Sequence, residues 1–396
     1  MNTIHNLEAW LPEMTEIRHS LHKHPELGFE EFKTQELVVK KLKEFGIENI
    51  DTSFGTTGVV ATIQGNQGMG KTIGLRADMD ALPIHEENDF AHRSCNSGKM
   101  HACGHDGHTT MLLYAAKYLA LHRSFKGKAV LIFQPAEEGV GGAKKMLADG
   151  LLEKYPLDAC YSLHNMPGLP EGHFAFKNGP IMASSDRLFI SIKGKSGHAG
   201  IPQNTQDPLL VATHVYQGIQ GLVTRTQSPF DPIVVSVTQL HCGETTNAIA
   251  DIANMSGTFR TLSNDVRNRL VEQLETLTTN IATAFDMEAH FSLGPISHPP
   301  TINTCPETQS AITAATSVVG RQKVDSECQA LLASEDFSFF LQKVPGCYGF
   351  IGNGTNEGNE TNEGNETIGL HHKRYDFNDR ILPIGAAYFI SLLEQS

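Results

Sequence analysis

Apolar residues recur along this chain with two different periods, which divide it into predicted helices and strands. The N-terminal segment has helical spacing, with Phe32, Leu37, Val38 and Leu42 as its apolar positions and Gly46 as a natural stop. Short apolar runs bounded by turns then alternate with helical patterns. This alternation predicts a layered α/β domain. The predicted strands are 59–64, 72–77, 129–133 and 159–163, and the predicted helices are 108–122 and 141–149.

A different order of elements begins near Asp186 and ends near Ser297. The order is strand, helix, strand, strand, helix, strand, which is the ferredoxin-like β-α-β-β-α-β pattern of a small satellite domain. Because this segment lies between two stretches of the main domain, it is predicted to be an insertion. The predicted domains are 1–185 for the first part of the main domain, 186–297 for the insertion and 298–396 for the second part.

Length, charge and cysteine content exclude several classes of protein. A chain of 396 residues usually forms two domains. Its net charge of −13 argues against nonspecific binding to nucleic acid or to an anionic membrane. The N-terminus does not resemble a signal peptide, and no apolar run approaches the ~20 residues that span a bilayer. The 7 cysteines are scattered and odd in number, so we expect a protein of the reducing cytoplasm.

The most informative motif is H-A-C-G-H-D-G-H, at His101–His108. Three histidines, one cysteine and one aspartate within this run can bind a divalent metal. Cys103 and His105 can reach the same metal pair from one loop, and a thiolate beside imidazoles indicates a transition-metal site. Alone, Cys103 is better explained as a small buried apolar residue, and a single histidine as a hydrogen-bonded core or surface residue.

Further candidate ligands follow the predicted strands. Glu137 and Glu138 come just past the strand at 129–133, and His164 follows the strand at 159–163. The carboxyl ends of strands are where α/β sheets keep their sites. Two adjacent carboxylates cannot easily face one ion, so we expect one to bind metal and the other to act as a general base. The alternative is a surface pair favoured by a helix dipole.

Asp78 and Asp80 lie past the end of the strand at 72–77. Carboxylates in this position can orient a histidine that binds metal. The competing interpretation is an ordinary turn before Pro83.

The segment Gly65–Thr72 reads G-N-Q-G-M-G-K-T and matches the pattern of phosphate-binding loops. That motif needs a helix directly after it, whereas the residues that follow have a strand pattern. A β-turn with a solvated Lys71 is therefore predicted, and a nucleotide-hydrolysing enzyme is not.

Residues 356–361 and 362–367 both read N-E-G-N-E-T. This polar duplication predicts a mobile surface loop, and a neutral insertion explains it better than a binding role does.

Five blocks of the chain resemble, in the same order, those of the dinuclear-metal amidohydrolases. This family includes hippurate hydrolase, N-acyl-amino-acid amidohydrolases and auxin-conjugate hydrolases, within the aminoacylase/carboxypeptidase group of metallopeptidases. The resemblance runs nearly end to end and implies a catalytic domain with an inserted lid or dimerisation domain. The blocks read L-R-A-D-M-D-A-L-P, M-H-A-C-G-H-D-G-H, F-Q-P-A-E-E, S-E-D-F-S-F-F-L-Q-K-V-P-G and R-Y-D-F-N-D-R-I-L-P-I-G-A-A.

The resemblance also implies a metal centre of two divalent ions per subunit, with Zn or Mn expected and Co or Ni as alternatives. It gives Glu137 the position of the general acid/base. His371 aligns with the histidine of the family's L-H-N-P-R-Y-D-F block, and His372, which replaces the Asn, remains the alternative. The implied ligands are Cys103, His105, Glu138, His164 and His371.

In the inserted domain, S-G-H-A-G resembles the family's G-G-H-G-A block and implies that His198 reaches towards the tetrahedral oxyanion. In family dimers this histidine can come from the partner subunit. Asn247 and Arg260 match positions associated with holding the substrate's carboxylate, a role that suits an arginine fork. A structural polar residue on a strand is the alternative for both.

The sequence therefore predicts a homodimeric enzyme that hydrolyses small N-acyl amino acids, hippurate-like or N-acetylated, to a carboxylic acid and a free amino acid. Two departures from the family leave the preferred acyl group open: G-I-P-Q-N after His198, and the insertion at 355–367 before His371. A non-catalytic metal-binding dimer with a binding or regulatory role is the alternative. The presence of Glu137 and of all the matched ligand positions argues against it.

Overall fold

The contacts between residues divide the chain into two units in the computed structural model, which describes residues 3–354 and 368–395. The first unit contains Met1–Gly179, Ile302–Gln329 and Asp336–Ser396, and the second contains Pro180–Thr301 and Ala330–Glu335. The N-E-G-N-E-T duplication lies outside the described residues.

The secondary structure alternates between helices and strands in the first half of the chain. The helices are α1 Thr3–Ala9, α2 Leu11–Lys23, α3 Phe32–Glu44, α4 His105–His122, α5 Gly142–Ala148, α6 Leu151–Lys154, α7 Pro208–Arg225, α8 Asn264–Thr283, α9 Cys305–Val319, α10 Ser338–Leu341 and α11 Leu382–Glu394. The strands are β1 Ile50–Asp51, β2 Val59–Gln64, β3 Thr72–Asp78, β4 Lys128–Gln134, β5 Ala159–Pro167, β6 Phe174–Ala175, β7 Gly179–Met182, β8 Asp186–Lys193, β9 Gly197–His198, β10 Ile233–Cys242, β11 Ala248–Ile249, β12 Ile252–Thr261, β13 Glu288–Leu293, β14 Thr301–Asn303, β15 Val324–Asp325 and β16 Gly346–Gly354.

An eight-stranded sheet forms the centre of the first unit, in the order β1-β2-β4-β3-β5-β16-β6-β15. Its central strands β4, β3, β5 and β16 run parallel to one another. Strand β3 is buried along nearly its whole length, as expected of a parallel strand covered on both faces. The sheet confirms the predicted α/β fold and brings the carboxyl ends of β3 and β4 to one edge.

Helix α4 is the main helix packed on this sheet, and it contacts β3, α2 and α11. Most of its residues are buried because its sequence is apolar on nearly every side after the first turn. Helix α11 is similarly apolar and adds Tyr388, Phe389 and Ile390 to the same core. The start of α4 is therefore held by a rigid, fully packed element.

The second unit has the strand order β10-β12-β8-β13, with every neighbouring pair antiparallel. Helices α7 and α8 pack on this sheet, and Leu188, Ile190, Val211 and Leu274 belong to the shared core. Together these elements form the predicted ferredoxin-like β-α-β-β-α-β arrangement. The small two-stranded ladder of β9 and β11 also belongs to this unit.

The second unit includes a segment that the sequence pattern does not assign to it. Residues 330–335 pair with the chain near Ala183, whose N–H lies 3.0 Å from the carbonyl oxygen of Leu331. The N–H of Leu331 donates in turn to Ile181 at 2.9 Å. These hydrogen bonds join residues about 150 positions apart, so hydrophobic periodicity, which is a local pattern, does not predict them.

Three local predictions have clear outcomes. The segment after Gly65–Thr72 is the strand β3, so the phosphate-binding loop is excluded as predicted. Helix α4 begins at His105 and not at 108, because Gly104 adopts φ +92° and lets the chain enter the helix earlier. His164 does not follow the end of a strand: β5 continues to Pro167 because it pairs with β16.

None of the helices in the described part of the chain is long and apolar enough to cross a membrane. All seven cysteines are free thiols, and Cys103, Cys160 and Cys347 are buried.

Candidate metal centre

Asp78 is the last residue of β3 and lies in a fully buried polar cluster. Its Oδ2 accepts a hydrogen bond from Nη1 of Arg76 at 2.7 Å, and its Oδ1 lies 2.6 Å from Nδ1 of His108. Burial opposes ionisation of Asp78, but the adjacent histidines and Arg76 outweigh it and hold its pKa well below the usual value. Asp78 is therefore a fixed anion at the carboxyl end of a central strand.

Gly104 makes the turn that brings the thiol of Cys103 and the ring of His105 to one side. Its φ of +92° is in the left-handed region, which favours glycine. A Cβ at this position would lie 2.2 Å from Nδ2 of Asn165 and 2.7 Å from the hydroxyl of Tyr375. The same Nδ2 donates to the carbonyl oxygen of Cys103 at 2.6 Å. No larger residue fits this turn.

The ring of His105 is held in one orientation by Asp80. Its Nδ1 lies 2.9 Å from the carbonyl oxygen of Asp80 and 3.2 Å from Oδ1 of the same residue. Because a carbonyl can only accept, Nδ1 carries the proton of the neutral ring, and Nε2 is the nitrogen whose lone pair can bind a cation. Within 3–354 and 368–395 that Nε2 is buried without a hydrogen-bond partner. A buried lone pair in this state fits a metal ligand.

His164 is fixed in the same tautomer by a different backbone group. Its Nδ1 donates to the carbonyl oxygen of Asn165 at 2.7 Å, so Nε2 is again the free donor of a lone pair. This Nε2 lies 3.4 Å from Sγ of Cys103. Burial and the neighbouring His108 lower the pKa of His164 well below its usual value, which keeps the ring neutral.

His108 lies beside these ligands but has the opposite tautomer. The backbone N–H of Asn165 donates to its Nε2 at 3.0 Å, so the proton is on Nδ1 and points at Asp78. Both ring nitrogens are therefore used within the protein, although the donor atoms of Asp78, His105, His108 and His164 lie within 4.8 Å of one another. His108 orients Asp78, and it has no lone pair left for a metal.

Two overlapping groups of donor atoms complete the site. One contains Cys103, Glu138 and His371, the other contains His105, Glu137 and Glu138, and in each group the donor atoms lie within 4.8 Å of one another. Nε2 of His371 is 3.2 Å from Oε1 of Glu138. Glu138 belongs to both groups, which is the arrangement expected of a carboxylate between two cations.

The charges at the site favour cations. Burial opposes protonation of His105, but the carboxylates of Asp78 and Asp80 outweigh it and raise its pKa to about 10. The same negative surroundings would favour a divalent ion at Nε2 in place of the proton. Burial and the charge of Glu138 raise the pKa of Cys103 well above that of a free thiol, and a bound cation would reverse this because coordination deprotonates a thiol.

The predicted residues of the first unit are thus brought together, and those of the second unit occupy a separate segment. The resemblance to the family's L-H-N-P-R-Y-D-F block favours His371. Both His371 and His372 are exposed, and it is His371 whose Nε2 lies beside Glu138. In the second unit, His198 in β9 pairs with Ala248 in β11, and the carbonyl oxygen of the adjacent Asn247 accepts from the N–H of Ala199 at 3.0 Å. Arg260 is a half-buried residue of β12 opposite Val234.

Three residues that organise the site, Arg76, His108 and Asn165, are absent from the ligand set that the family resemblance implies. Arg76 and Asn165 have no role predicted from the sequence, and His108 was predicted only as one of the metal-binding side chains of H-A-C-G-H-D-G-H. Arg76 lies within the block L-R-A-D-M-D, and its guanidinium contacts Asp78, Asp336 and Gln134. His108 belongs to the H-A-C-G-H-D-G-H motif, but only the hydrogen bond from Asn165 reveals its tautomer. A charged residue inside a strand pattern was the available signal for Arg76.

Comparison with known proteins agrees with this geometry. The sequence profile of Peptidase family M20/M25/M40 matches residues 74–395. Hippurate hydrolase from Campylobacter jejuni is 40% identical over 393 residues, covering 99% of this chain and 98% of that protein. N-acetylcysteine deacetylase from Bacillus subtilis is 37% identical over 387 residues, covering 97% of each. A dinuclear metal-binding peptidase from Bacillus subtilis, solved by crystallography, has a TM-score of 0.84 at 33% identity and covers 98% of each chain. On the extent of these matches, the chain belongs to peptidase family M20/M25/M40.

Proposed function

We propose that this protein hydrolyses the amide bond between an acyl group and an amino acid, and that it uses two divalent metal ions. The products are a carboxylic acid and a free amino acid. One observation carries this proposal. Nε2 of His105 and Nε2 of His164 are both available to bind metal, and they lie next to Cys103 and to the adjacent carboxylates of Glu137 and Glu138. The names of the relatives from Campylobacter jejuni and Bacillus subtilis, which act on hippurate and N-acetylcysteine, support the same reaction.

Five residues would hold the two ions, and two aspartates would fix the ligand set. Asp80 orients His105 through its hydrogen bonds to Nδ1, and Asp78 adds negative charge near Nε2 of the same ring, with Oδ2 at 3.8 Å. When bound, the ions supply Lewis acidity that favours ionisation of the attacking water and polarises the scissile carbonyl. The proposed ligands are Cys103, His105, Glu138, His164 and His371.

Glu137 is the proposed general acid/base. Its carboxylate belongs to the donor group of His105 and Glu138, and Oε1 accepts from the N–H of Asp336 at 3.4 Å. In this role Glu137 takes a proton from the attacking water and delivers it to the nitrogen of the leaving amino acid. The carbon–nitrogen bond breaks, the new carbon–oxygen bond remains in the acid, and Glu137 returns to its starting state.

For the second unit we propose substrate-directed roles. His198 would stabilise the oxyanion of the tetrahedral intermediate, and loss of one such donor typically costs about 3–4 kcal/mol of transition-state stabilisation. Asn247 and Arg260 would bind the substrate's carboxylate, for which an arginine fork is well suited. The resemblance of S-G-H-A-G, T-T-N-A-I-A-D and G-T-F-R-T to family blocks supports these assignments. We also propose that residues 186–297 serve as the lid or dimerisation domain.

We further propose a cytoplasmic homodimer that binds Zn or Mn. The seven free thiols suit a reducing compartment, and mixed sulfur, nitrogen and oxygen ligands suit these metals as well as Co or Ni. Leu209, Leu210 and Tyr216 on α7 each remain more than 40% exposed, which supports association through the second unit. Analytical ultracentrifugation of the purified protein tests the dimer.

The first experiment is amine release from a panel of N-acyl amino acids that includes hippurate and N-acetylcysteine. Each reaction is run before chelation, after chelation, and after addition of Zn, Mn, Co or Ni. Activity that chelation abolishes and one of these metals restores is the expected result, and the panel then identifies the preferred acyl group. No hydrolysis of any member with two bound ions would favour the non-catalytic alternative.

A further inference from the structure

The backbone on either side of Glu137 is held by buried carboxylates from two distant segments. Oε1 of Glu31 accepts a hydrogen bond from the N–H of Ala136 at 2.8 Å. Oδ2 of Asp80 accepts from the N–H of Glu138 at 2.9 Å. The peptide groups before and after Glu137 are therefore both anchored. Glu31 itself has no part in the proposed proton transfer.

Ala136 needs such an anchor because of its backbone conformation. Its φ is +54°, in the left-handed region that residues with a Cβ rarely adopt. Its carbonyl oxygen is also fixed, by the N–H of Gly142 at 2.9 Å. A return of Ala136 to negative φ would rotate the chain that follows and move the carboxylate of Glu137. Strained conformations of this kind persist at functional sites only where the surroundings impose them.

Glu31 is itself held rigidly in the position that this task requires. It is fully buried, and its second oxygen, Oε2, accepts from the hydroxyl of Thr57 at 2.5 Å. Glu31 occupies the N-cap position of α3, yet its side chain forms no capping hydrogen bond with that helix. The carboxylate is therefore directed away from its own helix and onto the N–H of Ala136, 105 residues along the chain.

We propose that Glu31 is a positioning residue for Glu137, and that it acts by holding Ala136 in its left-handed conformation. This inference rests on the proposed function in so far as Glu137 is the general acid/base. Its structural part, the control of Ala136 by Glu31, can be measured without a substrate.

The test compares Glu31→Ala and Glu31→Gln with Glu30→Ala. Glu30 is an exposed neighbour whose carboxylate pairs with Lys99, so it is the matched control. We expect Glu31→Ala to lower kcat by about 10- to 100-fold with KM and bound metal unchanged, because a small displacement of a catalytic group has an effect of this size. Burial raises the pKa of Glu31 to about 7, so the neutral amide of Glu31→Gln is a close replacement and should retain most of kcat.

A second substitution tests the route through Ala136. Glycine adopts positive φ without a Cβ penalty, so Ala136→Gly in the Glu31→Ala background should recover part of kcat. Hydrogen exchange at the Ala136 amide gives the readout that needs no activity. We expect at least about tenfold faster exchange in Glu31→Ala than in the wild type, and no change in Glu30→Ala.

Unchanged kcat and unchanged Ala136 exchange in Glu31→Ala would overturn the inference, as would a rise in KM as the sole effect. If Glu31→Ala does not fold, Thr57→Val removes only the hydrogen bond to Oε2 and should give a smaller change in the same direction in both measurements. A wild type without hydrolytic activity would contradict the proposed function, and the exchange measurement would still decide whether Glu31 controls Ala136.

Discussion

The backbone N–H of Asn165 donates to Nε2 of His108 at 3.0 Å. This hydrogen bond, together with Nδ2 of Asn165 at 3.0 Å from the same nitrogen, distinguishes His108 from His105 and His164. Among the described residues, no backbone N–H donates to Nε2 of either of those two histidines. Three histidines within 4.8 Å would otherwise be equal candidates for the metal. Because Nε2 of His108 accepts a hydrogen bond from Asn165, the proton of the ring is on Nδ1 and is directed at Oδ1 of Asp78. His108 therefore stabilises the Asp78 carboxylate beside the proposed metal ligands.

We expect substitutions of His164 and His108 to have different effects on bound metal. His164→Ala should lose one ion, because the residue supplies a lone pair through Nε2. His108→Ala should still bind two ions at saturating metal, with affinity about 10- to 100-fold weaker because Asp78 loses the hydrogen bond to its Oδ1 and keeps only that from Arg76. Metal content after dialysis at graded free concentrations measures both. Fewer than two ions in saturated His108→Ala would make His108 a ligand.

Glu137→Gln is expected to lower kcat by at least about 100-fold, because general acid–base catalysis contributes on this scale. The neutral amide keeps the shape of the side chain but cannot take a proton from water. Metal content should remain at two ions, and KM should change little. Steady-state kinetics on the preferred N-acyl amino acid measure the effect. Turnover near that of the wild type would rule out Glu137 as the general acid/base.

Gly104→Ala should unfold the turn that carries Cys103. The substitution combines a left-handed φ with overlap of the new Cβ with Asn165 and Tyr375, so we expect a loss of about 3 kcal/mol or more in the free energy of unfolding. The matched control is Gly98→Ala, where φ is +77° but nothing in the described part of the chain lies within 4 Å of the added Cβ. Its loss should be about 1 kcal/mol. Urea denaturation compares the two. Equal losses would show that the close packing around Gly104 is unimportant.

The buried His22 is expected to make stability depend on pH in the alkaline range. Burial opposes its charged form, but the hydrogen bonds to Asp106 and Glu86 outweigh it and raise the pKa to about 9. Between the unfolded value of about 6.5 and the folded value, the native state holds a proton that the unfolded state has lost. The free energy of unfolding should therefore fall by about 3 kcal/mol as pH rises through this window.

Urea denaturation from pH 6 to pH 10 measures this contribution as the difference between the wild type and His22→Gln. The decrease should be about 3 kcal/mol smaller in this variant, whereas His24→Gln, at an exposed position nearby, should retain all of it because the buried pairs are untouched. Parallel pH profiles in the wild type and His22→Gln would contradict a charged His22 in the folded protein.

The sequence was sufficient for most of the fold because its signals are local. The bounds of β2 agree with the predicted strand 59–64, and those of β3 and β4 differ by one residue at one or both ends from the predicted 72–77 and 129–133. Each of these strands has a clear apolar run bounded by turns. The start of α4 was predicted three residues late because the left-handed conformation of Gly104 allows the helix to begin at His105. The extension of β5 past His164 depends on pairing with β16, which lies almost 190 residues further along the chain.

The candidate ligands could be predicted from residue types, but the hydrogen bonds that fix their orientations and tautomers could not. Clustered His, Cys and Glu residues indicate a metal site by their chemistry, whichever tautomers the histidines adopt. The backbone of Asn165 determines that His108 is the histidine excluded as a metal ligand. The position of Glu137 depends on the hydrogen bond of Glu31 to Ala136. Both are contacts between distant segments, and a single sequence contains no period or spacing that encodes them.

Because Glu138 belongs to both donor groups, the two metal positions would not be thermodynamically independent. An ion at one position changes the charge and orientation that the shared carboxylate offers to the other, so each affinity depends on the occupancy of its neighbour. A metal titration of this protein would then describe linked equilibria, and the first and second dissociation constants would belong to the pair.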